Sequence, residues 1–245
     1  MTTPEKKKRP GDVELDRQPT VFGELVLRRG TIQSMDDAPV FEILINGDML
    51  MSSVVNTSEI ALAQIGLEAW GSAPCRVMVG GLGLGYTAHA ALQWPSVSSV
   101  DVLELAEPVL QWHEAGLVPL GRELTQDRRV RLLHGDFFAW ARGESPSGSR
   151  TEAKYDVILL DIDHSSDALL QPGHASLYSE EGLAELSKHL DEGGVFAYWS
   201  SEVDERYLAD LLRKVFPVVE EHAIEFYNPG RADYDTNSIV VARRA

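Results

Sequence analysis

Val77-Met78-Val79-Gly80-Gly81-Leu82-Gly83-Leu84-Gly85-Tyr86-Thr87-Ala88 is the stretch whose reading decides the fold. A short apolar run that ends in closely spaced glycines and leads into an apolar, Ala-rich segment predicts a buried strand, a tight turn and the start of a helix. Four glycines in six residues, Gly80, Gly81, Gly83 and Gly85, cost backbone entropy that a plain turn does not require. A Cβ would obstruct both a positive-φ turn and the close approach of a ligand, while the helix behind the turn offers N–H groups without partners. The stretch reads as a nucleotide-cofactor loop.

Which nucleotide it takes is left open by the loop itself. Gly83-Leu84-Gly85-Tyr86-Thr87-Ala88 satisfies the dinucleotide fingerprint with Ala as its last member. Gly81-x-Gly83-x-Gly85 is instead the spacing usual in S-adenosylmethionine (SAM) enzymes.

Outward from the loop toward the end of the chain, strands and helices alternate. Strands are expected at 76–79, 99–104, 130–134, 155–161, 194–199, 218–225 and 238–242, which implies a parallel sheet covered on both faces. The polar stretch 143–153 reads as a mobile loop. Upstream of the loop, 21–29, 40–45 and 48–51 read as strands, with Asn46-Gly47 as a hairpin turn. A helix follows, with Asn56 or Ser58 as N-cap and apolar positions at Ile60, Leu62, Ala63, Ile65 and Leu67. The expected organisation is a disordered tail over 1–19 that holds the basic run Lys6 to Arg9, an N-terminal β unit with its linking helix over 20–69, and a Rossmann-like α/β domain over 70–245.

The chain has 245 residues, ample for a core of this kind. Lys+Arg number 22 against Asp+Glu 38, for a formal net charge of -16. Such a surface repels phosphate backbones and anionic lipid, so neither nucleic acid nor membrane is expected as a partner, whereas a cationic small molecule is favoured. The single cysteine, Cys75, has no partner for an internal disulfide and reads as a small buried hydrophobe. With no apolar run of membrane-spanning length and no apolar signal-peptide core at the N-terminus, a cytoplasmic protein is expected.

The carboxyl ends of the expected strands carry the chemistry. Glu104 ends the second strand roughly 20 residues past the glycines, where a carboxylate can accept the two ribose hydroxyls of an adenosine cofactor. Asp101 and Glu107 read as surface acids. The third strand ends in His134-Gly135-Asp136-Phe137, which supplies an acceptor for the adenine amine in Asp136 and an apolar ring in Phe137, with Asp136 also able to cap a helix. A Gly-Asp pair here is unusual in NAD-binding domains and tips the balance toward SAM. The fourth strand delivers Asp161-Ile162-Asp163-His164, two carboxylates and an imidazole that could hold a cationic amine and accept its proton. Asp163 reads equally as a partner of Asp161 or as a helix cap, and His164 as a base or a plain loop residue. Tyr178 and Trp199 fall near the same edge and are candidate walls of the acceptor pocket. No metal site is expected.

From about Glu42 to the end, the chain resembles the spermidine synthase (polyamine aminopropyltransferase) family of class I SAM-fold enzymes. The resemblance rests on Asn46-Gly47, the run Gly80 to Gly85, Glu104, Gly135-Asp136, Tyr155-Asp156-x-x-x-x-Asp161 and Leu190-x-x-Gly193-Gly194. It implies a small antiparallel β unit ahead of a Rossmann-like seven-stranded sheet, a homodimer, adenosine held by Glu104 and Asp136, and a catalytic aspartate at Asp161. The chain departs from the pattern in three places. Leu50 stands where the family usually has glutamine, the family's Tyr-x-Glu pair falls near Ser58 and Ile60, and Asp-Ser-x-Asp-Pro is replaced by Asp161-Ile162-Asp163-His164-Ser165. The expected function is a SAM-dependent transferase acting on a small amine. Methyl transfer from SAM is favoured over aminopropyl transfer from decarboxylated SAM, because residues that mark a diamine site are missing. An NAD-dependent oxidoreductase and a non-catalytic SAM-metabolite-binding protein are the other two classes.

Overall fold

The computed structural model describes residues 11–32, 38–144 and 154–245. The basic run Lys6 to Arg9 and all of the polar stretch beyond Glu144 up to Ala153 lie outside the described residues.

Strands β1 (Val13–Thr20), β2 (Gly23–Thr31), β3 (Pro39–Ile45) and β4 (Asp48–Ser52) form an antiparallel sheet in sequence order. Asn46 and Gly47, with φ of 52° and 89°, make the two-residue turn that matches the twist of its flanking strands. Strand β1 corrects the sequence reading, which put residues 13–19 in a disordered tail. Its backbone pairs with β2 from Val13↔Arg29 to Thr20↔Gly23, and Trp112 Nε1 donates to Asp16 Oδ2 at 2.7 Å. The strand is polar because it is an edge, and charged side chains on an edge oppose further pairing.

Helix α1 (Thr57–Trp70) then leads into β5 (Cys75–Gly80), α2 (Tyr86–Leu92), β6 (Val97–Glu104), α3 (Glu107–Glu114), α4 (Gly121–Gln126), β7 (Val130–His134), α5 (Phe137–Ala141) and β8 (Tyr155–Leu160). A 3-10 turn (Pro172–Ser176), α6 (Glu180–Ser187), β9 (Leu190–Ser200), α7 (Arg206–Val215), β10 (Val218–Asn228) and β11 (Asp233–Arg243) complete the chain. Asn56 occupies the N-cap position of α1, but its amide donates to Ser53 O at 3.0 Å instead of capping, and Ser58 lies inside the helix.

The second sheet has seven strands in the order β10-β11-β9-β8-β5-β6-β7. Every strand runs in one direction except β11, which is antiparallel to both neighbours. The expected all-parallel sheet is therefore corrected at this edge. The four residues 229–232 between β10 and β11 are far too few for a crossover and allow only a hairpin. Alternation along the strands sorts side chains to the two faces: Val77, Val79, Val157 and Leu159 enter one core cluster, while Met78, Ile158 and Leu160 enter the other. Asp101, read as a surface acid, is buried, where its carboxylate takes hydrogen bonds from Arg131 and from the Tyr155 hydroxyl at 2.6 Å. Among the described residues no helix is long and apolar enough to cross a membrane.

Strand order reverses at β5, flanked by β6 on one side and β8 on the other. In open α/β sheets such a reversal opens a crevice at the carboxyl ends of the strands.

Candidate functional site

A cleft of about 1050 Å³, part of it open solvent, lies at that reversal, between the seven-stranded sheet and the four-stranded one. Its floor is the glycine loop after β5. Gly81 has φ 92°, and a Cβ on it would run into the Asp161 carbonyl oxygen. The residue must be glycine for the ends of β5 and β8 to meet, and Gly81 N donates to Leu103 O while Asp161 N donates to Gly80 O, both at 2.9 Å. Gly83 also lines the cleft, and a Cβ there would strike Met51 Sδ of β4, which accepts from Leu84 N at 3.1 Å. Gly80 and Gly85, expected with them at the cofactor, do not reach the cleft wall. Gly80 is the last residue of β5 and packs on Phe137, and Gly85 opens α2 against Leu124 and His113.

Glu104 reaches the cleft from the end of β6. Oε2 accepts from Leu82 N at 2.9 Å and Oε1 from Ala106 N at 2.7 Å, so the carboxylate fixes the glycine loop and the start of α3 together. Burial pushes this carboxyl up from its ordinary range, against the opposing pull of backbone N–H groups. Asp136 follows β7 and does act as an N-cap, its Oδ1 accepting from Phe138 N at 2.8 Å, and both Asp136 and Phe137 line the cleft.

Asp161, at the end of β8, faces the same cleft and accepts from Thr87 Oγ1 at 2.5 Å. Beside it stands a residue the sequence reading missed. Glu59, in the first turn of α1, is buried and lines the cleft, its Oε2 accepting from Ser58 Oγ at 2.9 Å while Asn237 Nδ2 donates to Ser58 Oγ at 2.8 Å. Burial, and after it the Asp161 charge, push the Glu59 carboxyl well up; burial also raises Asp161, with the Thr87 hydroxyl pulling the other way. Two buried acids lining one cleft cannot both ionise without cost, so burial and their mutual repulsion favour the protonated form.

The structure separates Asp163 and Tyr178 from this group. Asp163 is 0% exposed and accepts from Leu170 N, His174 Nδ1 and Tyr178 Oη, each at 2.8 Å. It is neither a partner of Asp161 nor a helix cap but the hub that folds the 161–178 segment. Tyr178 is buried against that hub and off the cleft wall. His174, not singled out by sequence, lines the cleft with its ring stacked on Phe138 at 3.7 Å between centroids. His164 and Trp199 line the cleft, and the His164 carbonyl is pinned by Ser201 N at 2.7 Å. Trp199 Nε1 is buried with no hydrogen-bond partner among the described residues.

No family model matches the chain. Among curated proteins, polyamine aminopropyltransferase 2 of Streptomyces coelicolor is 36% identical over 144 residues, 56% of this chain and 24% of the relative. The polyamine aminopropyltransferase of Prochlorococcus marinus strain MIT 9313 is 32% identical over 147 residues, 58% of this chain and 47% of the relative. The chain thus spans less than half the length of either relative. Among solved structures, spermidine synthase from Thermotoga maritima superposes with a TM-score of 0.71 at 17% identity, covering 95% of this chain and 73% of that one. A spermidine synthase in complex with the transition-state analogue AdoDATO gives 0.73 at 18% identity, covering 95% of this chain and 74% of that one. The chain therefore shares the fold of the spermidine synthases and is similar over part of its length to polyamine aminopropyltransferases.

The departures from the pattern of the family that the chain resembles take on physical form in the cleft. The family's acid, read as missing near Ile60, has a neighbour one residue earlier in Glu59, which lines the cleft with Asp161. A signal for it existed: Glu59, Leu62, Ala63, Gly66 and Leu67 form the buried stripe of α1, and an acid on an apolar stripe wants a partner. Leu50 does line the cleft, with an apolar side chain where the family has an amide.

Proposed function

We propose that the chain is a SAM-type transferase that moves an aminopropyl group from decarboxylated SAM to a primary amine. One observation carries this reading: among the described residues the cleft is lined by four carboxylates, Glu59, Glu104, Asp136 and Asp161, and by no lysine or arginine. The carboxylate of SAM would face these acids with no cation to answer it, whereas decarboxylated SAM brings only a sulfonium and an ammonium. Glu104 and Asp136 suit the ribose hydroxyls and the adenine amine, because a carboxylate oxygen that accepts one backbone N–H keeps a further lone pair.

Glu59 and Asp161 then serve the reacting centre. The amine nitrogen attacks the aminopropyl carbon bound to sulfur; the C–N bond forms as the C–S bond breaks, and the electron pair leaves with methylthioadenosine. The proton released by the amine goes to the Glu59–Asp161 pair, whose raised proton affinity suits it to the task near neutral pH. The pattern-based lean toward methyl transfer is weakened, since Glu59 restores an acid counted as missing, and the named relatives are aminopropyltransferases.

Calorimetry with SAM, decarboxylated SAM, methylthioadenosine and NAD in parallel tests the proposal. Decarboxylated SAM is expected to bind at least ~10-fold more tightly than SAM, a difference of about 1.4 kcal/mol. A preference for SAM would return methyl transfer, and binding of NAD alone would remove the SAM class. The proposal includes a homodimer in the cytoplasm, tested by sedimentation and cell fractionation.

A further inference from the structure

We propose that the acceptor is a primary amine with a single cationic centre and an apolar remainder, and that a diamine is not the preferred second substrate. This rests on the aminopropyl-transfer reading above. The argument compares the anions of the cleft with the cations it would hold. The donor carries a sulfonium and an ammonium, and the incoming amine adds a third positive charge until it gives up its proton. Of the four cleft carboxylates, Glu104 and Asp136 are tied to backbone N–H groups at the ends of β6 and β7, on the side of the glycine loop and α5. Glu59 and Asp161 remain, both lining the cleft, Glu59 bonded to Ser58 Oγ and Asp161 to Thr87 Oγ1. They answer the donor ammonium and the attacking nitrogen.

Among the described lining residues no further carboxylate is left for a second ammonium. Asp163 lies only two residues beyond Asp161, yet it is fully buried with His174, Tyr178 and Leu170 N on its oxygens. Among the described lining residues, the buried polar atom without a partner is Trp199 Nε1, which can only donate, as an ammonium does. The four-stranded sheet supplies Phe22, Leu25, Ile43, Ile45 and Leu50, a wall that favours methylenes and leaves a buried second charge uncompensated.

Butylamine and putrescine isolate the question, because they differ only by a terminal amine. With the full chain and decarboxylated SAM, methylthioadenosine release is measured for butylamine, hexylamine, putrescine and cadaverine. The expected result is kcat/KM for butylamine at least about tenfold above putrescine, and higher again for hexylamine, as for methylenes added in an apolar pocket. A butylamine-to-putrescine ratio below that, whether equal rates or a putrescine preference, overturns the single-cation acceptor and leaves the aminopropyl reading standing. Absence of methylthioadenosine with every amine overturns both. Leu50→Glu adds an anion to the apolar wall and is expected to move the ratio toward putrescine by roughly tenfold. Since a ratio within one variant does not depend on how much of it folds, an unchanged ratio counts against the apolar wall as the determinant.

Discussion

Replacing Glu59 by Gln removes one of the two buried acids that line the cleft at nearly constant shape and probes its electrostatics without any ligand. A carboxyl raised by burial holds its proton in the folded chain at pH values where the unfolded chain has lost it. The native state then binds more protons than the unfolded state, so stability is greatest below the ordinary carboxylate range and falls as pH rises toward the raised titration. One such proton costs up to ~1.4 kcal/mol for each pH unit. Between about pH 5.5 and 7.5 the wild-type chain should lose up to ~3 kcal/mol relative to Glu59→Gln. For a chain of this size that corresponds to roughly 6–12 °C in Tm, at ~2–4 °C per kcal/mol. Differential scanning calorimetry of both proteins across that range reads the difference directly, since every other titrating group is common to the two. The variant should start less stable or equal at low pH and gain steadily on the wild type. Parallel Tm curves would refute the raised Glu59 carboxyl. The same experiment with saturating decarboxylated SAM should flatten the wild-type curve, because a bound cation favours the ionised pair.

Glu104→Leu and Asp161→Asn should divide binding from turnover: the first weakens methylthioadenosine binding at least ~10-fold by removing the acceptor that also fixes Leu82 N and Ala106 N, and the second keeps binding while lowering kcat by roughly 10²–10⁴. Calorimetry showing the reverse pattern would exchange the two roles. Asp163→Asn should cost about 2–4 kcal/mol in urea denaturation, since it turns an amide toward buried donors on His174 and Tyr178, with kcat of the folded protein within a few-fold of wild type; a loss comparable to Asp161→Asn would place Asp163 in the reaction.

Much of the architecture was legible because it is written in local signals. The apolar runs of β5 to β9 and the punctuation by glycine at 80–85 are readable one window at a time, and Asn46-Gly47 announces its turn by chemistry alone. Strand β1 was hidden because an edge strand has only one neighbour and keeps its polar residues. The reversed direction of β11 leaves no trace in composition; it follows from the shortness of 229–232. In the cleft, Glu104, Asp136 and Asp161 were found because strand ends advertise their acids. Glu59 was missed because a helix presents its acid through packing against a distant strand. Asp163 was misplaced because alternation along β8 stops at Leu160, and the chain beyond turns under the cleft rather than along it.

The placement of Met51 against Gly83 and Leu84, together with the Trp112 to Asp16 bond, gives the small sheet and the large one joint ownership of the ligand space. Neither half encloses a ligand when parted from the other. A chain severed within 53–56 would therefore surrender its grip on adenosine even if both fragments kept their strands, and a tight ligand should raise the melting of the whole chain as one event.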